Sequence, residues 1–186
     1  MSKGFKSLKG QLILDGGNLA GSFFNRTVLL LCEHSPEGAF GLVLNRQSDN
    51  NVGDMLVADL PEKLREQDLY VGGPVQPSAL SFLHSDLFLP SANVMPNLSL
   101  GHSLDDLLEL GGSFSITQRI RVFAGYSGWG PGQLDDEMKR SSWLVHHTKL
   151  EHVFDVKPQQ LWQHVMVEKG GIHRLMAQAP DDLSRN

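Results

Sequence analysis

A single cysteine, Cys32, stands in 186 residues, so no disulfide can close within the chain. That poverty of cysteine fits a reducing compartment. Positive charge is also scarce: 16 Lys and Arg face 21 Asp and Glu, a formal charge of −5. No overall positive field draws such a chain to nucleic acid or anionic lipid, and basic residues cluster only in small groups such as Arg119 with Arg121. Long apolar runs are missing too. The longest unbroken aliphatic stretch, Val28 to Leu31, falls far short of the roughly 20 residues that span a bilayer. Lys3, Lys6 and Lys9 near the start are followed by no apolar stretch of signal-peptide length. The expectation is a cytoplasmic chain with no membrane partner.

What is present suffices for a core: 40% of residues are hydrophobic and 20% charged. The length suggests one domain over 1–186, with flexible ends at about 1–9 and 180–186. Gln11 to Leu14 reads as a strand stopped by Asp15-Gly16-Gly17. Thr27 to His34 is apolar at both alternating sets of positions, as in a strand buried on both faces. Ser35-Pro36-Glu37-Gly38 is turn chemistry, and Phe40 to Asn45 returns as the second arm of a hairpin.

Further on, one or two helical turns are expected at Val52 to Ala58, and strands at Asp68 to Val71 and Ala79 to His84. Ser103 caps a helix with Asp106 three residues later, and Gly111-Gly112 ends it. Arg119 to Tyr126 alternates as a half-exposed strand, with Arg119, Arg121 and Phe123 on one face. Pro131 opens a helix with acid early and base late. Trp143 to Val145 and Val153 to Val156 read as strands, and Pro158 opens a last helix burying Leu161, Trp162, Val165 and Met166. A polar tail starts at Pro180. Strand and helix do not alternate regularly, which favours α+β over a doubly wound sheet.

Three blocks resemble the YqgE/AlgH family of bacterial proteins. They are FFNRTVLLLCEHSPEGAFGLVLNR (23–46), YVGGPV (70–75) with LSFLH (80–84), and GYSGWGPGQLDDEM (125–138) followed by WLV (143–145). They stand in the family's order and cover nearly the whole chain. The resemblance implies an α+β domain in which a bifurcated, mostly antiparallel β-sheet, partly closed into a small barrel, is surrounded by helices. It also implies no assigned activity; some members are labelled transcriptional regulators through an association with alginate production.

Among candidate sites, Cys32 and His34 stand two apart on a strand and are expected on one face, as a thiol with a base or as two metal ligands. The competing reading, a small core cysteine and a strand-end histidine, has the better physical basis. Eight histidines (34, 84, 102, 146, 147, 152, 164, 173) fall in no HExxH or C-x-x-C pattern, so they read as scattered surface residues; no metal or cofactor is implied. His146 and His147 would face opposite ways.

The Gly125–Gly132 loop offers Ser127, Gly128, Trp129 and Gly130 around a flexible backbone, and Gly72, Gly73 and Pro74 form a second sharp turn. If both converged they could line a ligand cleft, although a purely structural role is the better explanation of glycines at such turns. No P-loop lysine follows, and Gly-x-Ser-x-Gly is broken by Trp129. The leading reading is a non-enzymatic protein that acts by binding, with a protein partner conceivable and nucleic acid disfavoured. An enzyme or small-ligand protein using Cys32 and His34 or the Gly125–Gly132 loop is the first alternative. A DNA-binding regulator using Arg119 and Arg121 is the second.

Overall fold

Period-two apolar patterning organises the molecule, because alternate residues of the central strands serve two different cores. The structure, a computed structural model, describes residues 4–87, 89, 91–113 and 115–179. The polar tail from Pro180 therefore lies outside the described residues. In chain order the elements are β1 (Gln11–Asp15), β2 (Val28–Ser35), β3 (Gly38–Val43), β4 (Gln47–Asn51), α1 (Val52–Met55), α2 (Glu62–Arg65), β5 (Asp68–Val71) and β6 (Val75–Ser85). They continue with β7 (Ser99–Gly101), α3 (Leu104–Gly111), β8 (Arg119–Trp129), α4 (Gln133–Lys139), β9 (Trp143–His147), α5 (Leu150–Phe154), α6 (Pro158–Lys169) and α7 (Gly171–Met176). This is an α+β fold.

The sheet runs β4-β5-β8-β3-β2-β1-β9, with β6 and β7 branching from β8. All of its ladders are antiparallel except β5 with β8. The bifurcation sits within β8. Val122 to Ala124 pair with β5, whereas Ser127 to Trp129 pair with β3. Gly125 lies at the fork with φ +70°, a left-handed conformation that side chains resist. The partial barrel implied by the resemblance is not found: β4 and β9 end the path and do not pair with each other.

Leu12, Leu14, Leu30, Cys32 and Leu42 share one core with Trp162, Val165 and Met166 of α6. Ile13, Leu29, Leu31 and Val43 face the other way, against Trp129, Trp143 and Leu134 of α4. A third core joins β5, β6 and β8 to α1, α2 and α3. The four apolar residues expected to be buried on α6 are all buried, and Ser103 Oγ accepts the Asp106 N–H at 3.3 Å as a cap.

Three expectations fail for physical reasons. Val153 to Val156 is not a strand: Val153 and Phe154 close α5, because a helical turn lets Val153 reach the α6 core. The segment Arg119 to Tyr126 is not half exposed, since β6 and β5 flank it and both Val122 and Phe123 are fully buried. The glycine-rich stretch is not a loop from Gly125; β8 continues to Trp129, and α4 starts at Gln133 rather than at Pro131.

Candidate functional site

The two glycine turns do meet, and they meet as packed backbone. Gly72 N–H donates to Ala124 C=O at 2.9 Å, and Ser127 Oγ donates to Gly72 C=O at 3.2 Å. A Cβ on Gly73 would overlap the Tyr126 carbonyl, and one on Gly125 would stand 2.7 Å from Gly73 O. Trp129 is buried, and its Nε1–H donates to Glu137 Oε2 at 2.9 Å, as does that of Trp143 at 2.8 Å. Of the seven candidate residues here, Pro74, Gly128 and Gly130 are exposed, while Gly72, Gly73, Ser127 and Trp129 are buried. The polar side chains of Ser127 and Trp129 are thus committed to the fold.

Cys32 and His34 lie on opposite faces. A β-bulge sets two residues, Cys32 and Glu33, against one step of β3 between Gly41 and Phe40, which reverses the side-chain parity. Cys32 is therefore buried in the α6 core, where burial pushes its thiol well above the ordinary value and the charge of Glu33 adds to the shift. His34 points to the α4 side: its Nδ1 accepts the Leu8 N–H at 2.9 Å, its Nε2 lies 3.8 Å from Asp135, and Ser7 Oγ donates to its carbonyl. Nor do Arg119 and Arg121 make a free basic face. Arg119 grips both oxygens of Asp155, and Arg121 is buried over the Tyr70 ring at 4.2 Å.

The arrangement with the strongest chemistry is one the sequence reading passed over. Leu29 pairs with Val43 in the β2–β3 hairpin. Continuing that register places Arg26 opposite Arg46, so two Asn-Arg dipeptides, Asn25-Arg26 and Asn45-Arg46, come side by side where the hairpin opens. Together with Gln159 and Trp162 they line a cleft of about 410 Å³. Asn45 clamps its base, Oδ1 accepting the Val28 N–H and Nδ2 donating to Arg26 C=O, each at 2.9 Å. Arg46 donates to Asn25 C=O at 2.6 Å.

Arg26 carries φ +50°, a strained value for a non-glycine residue. It is held there from both sides, by Asn45 on its carbonyl and by Asp15 Oδ2 on its N–H at 2.9 Å. Its guanidinium stacks on Trp162 at 4.7 Å. Pro158 opens the twelve-residue α6 at the cleft, so the positive end of that helix adds to the two arginines. Among the described residues, no Asp or Glu lines the cleft. A larger cleft of about 570 Å³ between β6, β7 and α3 is lined by Asp106 and Glu109 and, among the described residues, by no Lys or Arg. The signal for the Asn-Arg cleft was the same dipeptide flanking both arms of a hairpin.

Three of the eight histidines are not scattered. His146 Nε2 and His152 Nε2 lie 3.1 and 3.0 Å from Glu168 Oε2, and His164 Nε2 lies 3.6 Å from Glu168 Oε1. His146 faces this cluster, while His147 is exposed and faces away from it. Among the described residues no helix is long and apolar enough to cross a membrane.

The family model described as AlgH-like matches residues 12–174. The chain belongs to this YqgE/AlgH family. It is 35% identical over 175 residues to a UPF0301 protein of Chlorobium luteolum, covering 92% of this chain and 91% of that one. A UPF0301 protein of Cytophaga hutchinsonii is 33% identical over 179 residues, with coverage of 94% and 96%. The solution structure of AlgH from Pseudomonas aeruginosa superposes with a TM-score of 0.73 at 28% identity, covering 96% and 98% of the two chains. A crystal structure from Corynebacterium diphtheriae gives 0.77 at 22% identity over 94% of each, a likeness of fold. AlgH-like membership thus spans both arms of the hairpin that build the Asn-Arg cleft.

Proposed function

We propose that this AlgH-like protein is a non-enzymatic binding protein whose ligand is a small anion, carrying phosphate or carboxylate, held in the Asn-Arg cleft. The observation that carries the reading is the convergence of Arg26 and Arg46 on one cleft whose described lining residues hold no carboxylate, in a chain of net charge −5. Arg46 gives one N–H to Asn25 C=O and keeps a planar guanidinium that matches phosphate and carboxylate oxygens, while Arg26, stacked on Trp162 and bonded to Ala179 C=O, adds positive charge beside it. Side-chain amides of Asn25, Gln159 and Gln163 add neutral donors at the rim, and Trp162 supplies a flat apolar wall. Strain stored at Arg26 is the kind of cost a fold keeps where geometry serves a site.

A ligand held this way would suit a regulatory protein that reports the level of an anionic metabolite. The thiol–imidazole enzyme finds no support in the geometry, because Cys32 and His34 occupy different faces. The DNA-binding reading loses its footprint, because both Arg119 and Arg121 are engaged within the protein.

Thermal unfolding in a series of anions tests the proposal. Ligands that bind only the folded state raise Tm with concentration. Phosphate, pyrophosphate and di- and tricarboxylates are expected to raise it at constant ionic strength, and Arg46→Ala to abolish the rise. Equal shifts in wild type and Arg46→Ala would refute it.

A further inference from the structure

We propose a divalent-cation site of the zinc type where α5 meets α6, with His164 Nε2, the Glu168 carboxylate and the Glu151 carboxylate as ligands. His164 and Glu168 are one turn apart on α6 and so share a face. Their Nε2 and Oε1 atoms are 3.6 Å apart. Two donors on one tetrahedral zinc, at bonds of about 2 Å, stand roughly 3.3 Å apart. Glu151 comes from α5, and candidate ligand atoms of Glu151, His152, His164 and Glu168 all lie within 4.8 Å of one another.

Hydrogen bonding sorts these residues into roles. His152 Nδ1 accepts the Lys149 N–H at 3.1 Å, which leaves its proton on Nε2, 3.0 Å from Glu168 Oε2. Fully buried His152 is therefore a donor that orients the carboxylate, not a ligand, and it leaves Oε1 turned toward His164. The Nε2 atom of His164 is shielded from solvent and has no hydrogen bond, a cost that a bound ion would remove.

Lys149 marks where the cation goes. Its Nζ lies 2.6 Å from Glu168 Oε1 and 3.4 Å from Glu151 Oε1, bridging the two carboxylates as an internal ammonium. An arriving ion displaces this exposed side chain, so Lys149 weakens the site and sets its affinity. None of these residues lines the Asn-Arg cleft, and the site stands independently of that reading.

Zinc chloride titrated into tag-free, chelator-treated protein by calorimetry decides the matter. One ion per chain is expected, with binding at least about tenfold weaker in His164→Ala, which loses a ligand. In Lys149→Met binding is expected to be roughly tenfold tighter, since an opposing charge at contact distance is gone. Misfolding cannot produce that gain. No binding at micromolar zinc, or the same affinity in wild type, His164→Ala and Lys149→Met, would overturn the site.

Discussion

Asn45 ties together the two segments that build the cleft, and its replacement is the sharpest test at the scale of one residue. Asn45→Ala removes bonds to Val28 N–H and Arg26 C=O, each worth about 1 kcal/mol net, so a loss of about 2 kcal/mol is expected in urea unfolding. Asn45→Asp keeps the acceptor but loses the donor and should fall between the two. A loss below about 0.5 kcal/mol for Asn45→Ala would show that the clamp contributes nothing. Cys32 makes the opposite point. Its thiol sits in the core, raised by burial, so labelling of native protein at neutral pH should proceed only as fast as the protein opens. Rapid stoichiometric labelling would contradict its placement.

At the scale of elements, the fork in β8 and the α5–α6 junction carry the consequences. Gly125→Ala would place a Cβ 2.7 Å from Gly73 O at φ +70°, and a destabilisation of about 3 kcal/mol or more is expected from denaturant midpoints.

At the α5–α6 junction, burial opposes ionisation of Glu168. Hydrogen bonds from Lys149 and His146, with the charge and hydrogen bond of His152, outweigh it and hold the carboxyl at about 2. A carboxyl depressed from 4.5 stabilises the fold above pH 4.5, and that contribution is lost as pH falls from 4.5 toward 2. His152 is pushed below its ordinary 6.5, by burial first, with Glu168 opposing. A lowered imidazole favours the neutral folded state, so its contribution is complete above pH 6.5 and erodes below it. Stability should therefore decline with acid in two stages, and Glu168→Gln should flatten the lower one. An unchanged profile between pH 4.5 and 2 in Glu168→Gln would contradict the linkage.

At the scale of the whole molecule, what the sequence revealed depended on distance along the chain. The β2–β3 hairpin, the Ser103 cap and the buried stripe of α6 follow from local periodicity and turn chemistry, and all three stand in the structure. The α5 helix was misread because Val153, Phe154 and Val156, three apolar positions in four, look alike in a strand and at the end of a short helix docked on a core. The Cys32–His34 geometry was missed because a bulge leaves no mark in period two. The histidine cluster escaped because it joins residues from β9, α5 and α6, which no linear motif spans. The Asn-Arg cleft was within reach, since hairpin register alone sets Arg26 against Arg46, but α6, which completes it, arrives more than a hundred residues later.

That cleft is the centre of the functional account, and amide chemical-shift mapping with inorganic pyrophosphate tests it most directly. At constant ionic strength, saturable shifts are expected at Asn25, Arg26, Asn45, Arg46 and Gln159, and they should vanish in the Arg26→Ala/Arg46→Ala double variant. Shifts that stay in that variant, that map to another surface, or that never appear would contradict the account.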